Sequence, residues 1–150
     1  MHPLLFVTQI ISGILGSIGF AMLFNLKRDK FLYISIGSFV SIFIYLLLFN
    51  ITQNTFFSNL IAAFTCTTLA EIFARWRKAP ATLFIIAHMI PLVPGGSLYY
   101  TMRGFVQENA IAFKEHALNT LYASTGIALG IIVVTSIKYL LIKRQPCNYR

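Results

Sequence analysis

The residues best placed to do chemistry lie at 90–97, which read Ile-Pro-Leu-Val-Pro-Gly-Gly-Ser inside an otherwise apolar segment. Proline removes a backbone N–H donor and clashes with the preceding turn, while glycine leaves the backbone loose. Ile90 and Val93 precede the two prolines and are therefore predicted to leave helical dihedral angles. This pattern predicts a half-helix that ends near Met89, an unwound stretch, and a second half-helix that begins near Ser97.

The chemistry expected of such a break is the binding of an anion. The first N–H groups of the second half-helix carry the positive end of the helix dipole, which suits a carboxylate. In lipid, freed backbone groups are tolerated only where protein or a water-filled cavity satisfies them. The predicted binding residues are therefore those of the break itself, Pro91, Pro94, Gly95, Gly96 and Ser97. A proline kink that packing absorbs is the alternative interpretation.

Two further polar residues are predicted to take part in the same site. Tyr99 follows the break, and it either closes the site or anchors the segment at the membrane interface, where tyrosine is enriched. Asn25 lies at the end of the first apolar segment, where it either caps a helix or holds a ligand on entry.

Two ionisable residues inside apolar segments are candidates for proton coupling. His88 lies three residues before Pro91, and histidine exchanges protons near neutral pH. A neutral histidine that is hydrogen-bonded to a neighbouring helix is the equal alternative. Glu71 is the only acidic residue within an apolar segment. An ion pair with Arg75, four residues on, is the preferred interpretation of Glu71, and proton coupling is the second.

Small residues mark the middle of the first apolar segment. Gly13, Gly16 and Gly19 are spaced by three residues, and small residues at such spacings let membrane helices approach closely. These glycines lie near the depth of the break, so the segment that contains the break is a candidate for their partner.

The composition is that of an integral membrane protein. Apolar residues make up 57% of the chain and charged residues 11%, and the mean hydropathy is +0.76. We expect an all-α polytopic protein in one transmembrane domain, 1–142, with a basic cytoplasmic tail, 143–150. Five segments are long enough to cross the bilayer, at about 4–24, 31–49, 56–74, 82–102 and 118–142. Residues 107–117 are predicted as either a helix on the membrane surface or a polar loop.

The basic residues predict the orientation in the cell membrane. Of the twelve lysines and arginines, all but Arg103 and Lys114 follow the first, third or fifth segment or lie at its end. The positive-inside rule then puts the N-terminus outside and the C-terminus in the cytoplasm. The net charge of +8 is accounted for in this way, so we expect no binding of nucleic acid.

Several function classes are excluded by what the sequence lacks. It contains no P-loop, no dinucleotide-binding fingerprint, no paired carboxylates and no metal-ligand spacing. We therefore expect no enzyme activity, no cofactor and no metal. An odd number of spans in so short a chain also indicates one part of a larger assembly, because many transporters combine two repeats.

Two motifs resemble the C-terminal module of the threonine/serine exporter family. Residues 19–25, Gly-Phe-Ala-Met-Leu-Phe-Asn, resemble its Gly-Phe-Ala-Met-x-Phe-Asn signature. Residues 90–99 resemble its Ile-Pro-x-x-Pro-Gly-x-x-x-Tyr motif, and Lys78 and Pro80 occupy positions where that module tends to have a basic residue and a proline. The resemblance covers essentially the whole chain.

The resemblance implies a function that the residues alone do not. Members of this family export small acids such as threonine and serine, and related two-component systems are implicated in export of succinate. In split versions a small subunit works with a larger membrane protein that carries the other module. The sequence is therefore interpreted as the small subunit of such an exporter. A membrane scaffold that does not itself transport is the alternative.

Overall fold

A computed structural model describes residues 3–143 of the chain. Its helices are α1 (Pro3–Leu23), α2 (Phe31–Thr52), α3 (Thr55–Trp76), α4 (Ala81–Met89), α5 (Gly95–Val106) and α6 (Ala110–Lys143), with short 3-10 turns at Arg28–Lys30 and Ile90–Leu92. No strand occurs between residues 3 and 143. The predicted tail, 143–150, lies outside the described residues except for Lys143.

Four of these helices are long and apolar enough to cross a membrane, and a bent pair brings the number to five if its two helices count as one span. The four are α1, α2, α3 and α6, while α4 and α5 meet at an angle of 55° across the break. The predicted fold class, an all-α membrane protein whose fourth span is interrupted, is confirmed.

The last helix is longer than the bilayer is thick. Helix α6 has 34 residues and is therefore about 51 Å long, against a hydrocarbon thickness of about 30 Å. Its first turn is capped by Asn109, whose Oδ1 accepts from the Ala112 N–H at 3.1 Å. Residues 110–117 are therefore the first turns of α6, and neither a separate surface helix nor a loop.

The most extensive helix contact joins α3 and α6, which run parallel. Gly126 and Gly130 lie against the backbone of α3: a Cβ at Gly126 would be 2.6 Å from the Phe56 carbonyl oxygen, and one at Gly130 would be 2.8 Å from that of Leu60. The α3 side of this contact is also made of small buried residues, including Ala63. Small residues on both helices let the backbones approach, as in other membrane helix pairs.

The basic connections gather at one end of the bundle. Arg77, after α3, forms an ion pair with Asp29, after α1, and its guanidinium lies 5.1 Å from the centre of the Tyr33 ring. The parallel packing of α3 and α6 brings the C-terminal end of α6 to the same end. The ends of the first, third and last spans therefore lie together, and we call this the basic end.

Candidate functional site

The break in the fourth span is shorter than the sequence predicts. Val93 is extended, with φ −60° and ψ 124°, as expected of a residue before proline. The same prediction is wrong for Ile90, which stays helical with φ −46° and ψ −48°. Pro91 sits at the start of a 3-10 turn that follows α4 directly, so the α-helix ends where proline cannot supply the next N–H. The second half-helix begins at Gly95 rather than near Ser97.

A cavity of about 350 Å³ lies where the break meets α1 and α2. Its walls are mostly apolar, with polar groups from Gln9 and Ser12 on α1 and Tyr45 on α2. The complete lining is Gln9, Ser12, Gly13, Gly16, Ile42, Tyr45, Leu46, Ile90 and Pro91. The cavity has the size and the mixed lining of a site for a small metabolite.

Two of the three glycines of α1 face this break. A Cβ at Gly13 would collide with Ile42 Cδ1 and lie 3.2 Å from Pro91 Cβ, and one at Gly16 would lie 3.8 Å from Ile90 Cγ2. By contrast, a Cβ at Gly19 would meet no atom within 4 Å. Gly13 and Gly16 therefore let α1 pack against the break, while Gly19 faces away from the other described helices.

The first turn of α5 has amides without a backbone acceptor in the described part of the chain and open space beside its two glycines. The Gly95 N–H donates to the Val93 carbonyl at 2.7 Å, and the first bond back to the Pro94 carbonyl comes from Leu98 at 3.0 Å. The N–H groups of Gly96 and Ser97 thus have no backbone acceptor within residues 3–143. A Cβ at Gly95 or Gly96 would meet no atom within 4 Å. These amides are free donors at the start of a helix, as an anion site needs, but their residues do not line the cavity that Pro91 lines.

Two other predicted binding residues lie apart from the cavity. Tyr99 is 63% exposed on α5 and packs edge-on against Tyr100. Asn25 has a positive φ of 52° and ends α1, where the Leu26 N–H donates to the Ala21 carbonyl at 3.0 Å. Asn25 is twelve residues from Gly13, or about 18 Å along the helix. Of its two predicted roles, the structure shows Asn25 at the position of a helix cap.

His88, on α4, is fully buried against α2 and α3. Its ring lies directly on Gly37, where a Cβ would collide with it, and it packs against Phe73 and Phe84 with ring centres 6.1 and 6.0 Å away. The backbone of Tyr33 and of Cys66 lies near the ring, but neither ring nitrogen makes a hydrogen bond of normal geometry. The polar groups near the His88 ring thus belong to α2 and α3, the neighbouring helices where the alternative interpretation of His88 expects a hydrogen-bond partner. His88 does not line the cavity at the break.

Glu71 is ion-paired, but with a different partner from the one expected. Lys138 Nζ on α6 lies 2.8 Å from Glu71 Oε1 and 2.7 Å from Oε2. Arg75 forms no ion pair within the described part of the chain. The interpretation of Glu71 and Arg75 as a pair was wrong because the parallel packing of α3 and α6 brings Lys138 directly opposite Glu71, while the Arg75 side chain remains exposed.

Sequence reasoning missed several residues of this region. Gln9 and Tyr45 line the cavity, and Gly37 makes the space for the His88 ring. Near Gly37, Ser38 and Ser41 are also buried, and Ser41 bonds back to the Gly37 carbonyl at 2.7 Å. Ser38 and Ser41 were an available signal, because they are three residues apart like the glycines of α1, but no such signal marked Gln9 or Tyr45.

Comparison with known proteins identifies the family of this chain. The family model described as "Threonine/Serine exporter, ThrE" matches residues 9–137, which include every residue that lines the cavity and the whole of the break. The chain belongs to the threonine/serine exporter family. Members of this family are membrane transporters, so this multi-pass chain is a membrane protein of exporter type. No solved structure matches it.

Proposed function

We propose that the chain is the small membrane subunit of an exporter for small amino or organic acids, such as threonine, serine or succinate. The observation that carries the proposal is the cavity of about 350 Å³ at the broken span, which lies within the region matched to the exporter family. Glycines on α1 and the break of the fourth span form one wall of this cavity. Gln9, Ser12 and Tyr45 provide polar groups that can orient a small polar ligand.

The exporter acts with a larger membrane protein that carries the other module. The first turn of α5 supports this part of the proposal, because the Gly96 and Ser97 amides are free to bind a carboxylate while the space beside Gly95 and Gly96 is open. A site in lipid needs walls on all sides, since a buried anion requires full compensation. A partner helix placed across Gly95 and Gly96 supplies the missing wall.

The proposed orientation in the cell membrane has the N-terminus outside and the basic end in the cytoplasm. The contact between Asp29 and Arg77 supports it, since it brings the connections after α1 and α3 to one side. Basic connections on one side are typical of the cytoplasmic face.

A direct test is to delete the gene that encodes this chain in its own cells and to measure efflux of threonine, serine and succinate. We expect the Gly95→Leu variant to lower the efflux of the transported acid about tenfold, because leucine covers amides whose bond to a charged group is worth about 1.5–3 kcal/mol. Ala128→Leu adds a similar side chain at an exposed position of α6 and should leave efflux within about twofold.

Efflux that is unchanged by deletion would remove the proposed function. The alternative, a scaffold that does not transport, predicts instead that deletion lowers efflux while Gly95→Leu, at normal expression, changes neither the rate nor the preference among the three acids.

His88 and Glu71 remain proposals for proton coupling. If His88 carries the proton, His88→Gln should reduce efflux driven by an imposed pH gradient about tenfold while exchange at equal pH stays within about twofold, since proton transfer groups contribute at least this much. His116→Gln is the matched control, because His116 stacks on Tyr100 outside the core of the bundle. Equal losses of both activities in His88→Gln would indicate a structural role, filling the space above Gly37.

A further inference from the structure

A second cavity, of about 640 Å³, opens at the basic end of the bundle. It lies between the C-terminal ends of α3 and α6 and the start of α4. Its lining residues are Glu71, Ala74, Arg75, Lys78, Ala79, Ala81, Lys138 and Leu141. None of them lines the cavity at the break, so the two cavities are separate sites.

The charges of this second cavity favour an anionic ligand. It is lined by three cations, Arg75, Lys78 and Lys138, and by one anion, Glu71. Glu71 is engaged with Lys138, while Arg75 and Lys78 form no ion pair within residues 3–143. Two positive charges are therefore uncompensated. Arginine also presents a planar fork of donors that matches a carboxylate.

The Glu71–Lys138 pair lines both this cavity and a smaller one. The smaller cavity, of about 280 Å³, shares Glu71, Arg75, Lys138 and Leu141 with the first. Both members are partly enclosed, with side-chain exposures of 11% for Glu71 and 34% for Lys138. An enclosed ion pair gives little net stability, because desolvation offsets its attraction. A ligand carboxylate that replaces Glu71 keeps Lys138 paired, and the released Glu71 then needs a new partner, which water in the open cavity or Arg75 can supply.

We propose that the basic-end cavity is an entry site for the exported acid, where Arg75 and Lys78 bind its carboxylate and the carboxylate competes with Glu71 for Lys138. Release of Glu71 from Lys138 removes the ion pair that joins α3 and α6 at this end of the bundle. The ligand class, a small carboxylate, rests on the proposed function, but the site and its residues do not.

In this proposal, replacing Glu71 changes the affinity for the ligand in the opposite direction from replacing one of the cations. Replacing Arg75 or Lys138 removes a positive partner of the ligand and weakens its binding. Replacing Glu71 by glutamine frees Lys138 from its competitor and strengthens the binding. A residue that serves only to hold the fold produces no such gain when it is replaced.

The test uses the full chain in nanodiscs of phosphatidylcholine, titrated with L-threonine and with succinate and followed by saturation-transfer NMR. The cations that bind the ligand in this proposal, Arg75, Lys78 and Lys138, all belong to this chain, so the chain alone is the sample. We expect both acids to bind and threonine methyl ester not to bind. Arg75→Gln should weaken binding about tenfold, while Arg28→Gln, an exposed arginine at the same end, should change it less than about twofold.

The decisive variant is Glu71→Gln, for which we expect about tenfold tighter binding of succinate. Absence of binding to the wild type, equal effects of Arg75→Gln and Arg28→Gln, or weaker binding in Glu71→Gln would each overturn the proposal. So would loss of acid binding in nanodiscs that contain phosphatidylglycerol, because the cavity would then be a site for a lipid headgroup. Efflux that depends on the chain but not on Arg75 or Glu71 would overturn this site and leave the proposed function standing.

Discussion

Replacement of Gly13 by leucine is expected to reduce acid efflux by about tenfold or more while the chain still inserts in the membrane. The new side chain would enter the cavity at the break, where even a Cβ collides with Ile42 Cδ1 and lies 3.2 Å from Pro91 Cβ. The leucine side chain fills space that a ligand needs. Its steric clash with Pro91 also displaces the start of the second half-helix. A displacement of about 1 Å at such a site can cost about a hundredfold in rate. Efflux of threonine, serine and succinate, normalised to the amount of protein in the membrane, measures the effect.

Two control variants separate blockage of the cavity from general damage to α1. Gly19→Leu makes the same change on the same helix, but at a position where a Cβ meets no atom within 4 Å. It should change the free energy of unfolding of the isolated chain by less than about 0.5 kcal/mol relative to the wild type. Gly13→Leu combined with Ile42→Ala removes the side chain that clashes, so it should recover part of the expression but not the efflux. Full efflux in the Gly13→Leu variant would show that the cavity is not on the transport path.

Replacement of Gly130 by leucine is expected to destabilise the bundle by about 3 kcal/mol, the upper part of the range for overpacking. At Gly130 a Cβ would lie 2.8 Å from the Leu60 carbonyl oxygen and 3.0 Å from the Phe64 N–H nitrogen. Both are backbone atoms, so no side-chain rotation relieves the contact, and α3 and α6 must separate. We expect the melting temperature of the purified chain in detergent to fall by about 5–10 °C.

Ala128→Leu is the matched control for this second effect. Ala128 lies two residues from Gly130 on the same helix but on its exposed side, so leucine there meets lipid or detergent instead of α3. Its melting temperature should stay within about 2 °C of the wild type. If Gly130→Leu has the same melting temperature as the control, then α3 and α6 pack less closely at Gly130 than the structure shows. Since Lys138 lies two turns farther along α6, loss of this contact should also weaken the Glu71 ion pair.

Much of the fold was predictable because bilayer physics restricts the choices. Long apolar segments must be helices, since lipid offers no partner for backbone N–H and C=O groups. The break was predictable for a similar reason: two prolines and two glycines within residues 91–96 cannot continue an ordinary helix. The error at Ile90 is a matter of local context, because a 3-10 turn accommodated Pro91 at its first positions.

The partners of the polar residues were not predictable, because they depend on which helices lie side by side. Arg75, one turn from Glu71, was the partner that a single helix offers, but Lys138, 67 residues away, is the partner in the bundle. Likewise Gly13 meets Pro91 while Gly19, on the same helix, meets no other described helix. The spacing of residues along a helix shows which of them share a face of that helix. Only the packing of the bundle shows which other helix that face contacts.

The sequence by itself determined that this is an all-α membrane protein with an interrupted fourth span, and its motifs indicated the exporter family, because hydropathy and proline act locally along the chain. Only the tertiary structure decided where the cavities lie. It separated Pro91, which lines a cavity with Gly13 and Tyr45, from Gly96 and Ser97, which do not line that cavity. The physical reason is that a cavity is the space left between helices, and that space is set by non-local contacts such as those of Gly130 and Lys138, which no local pattern contains.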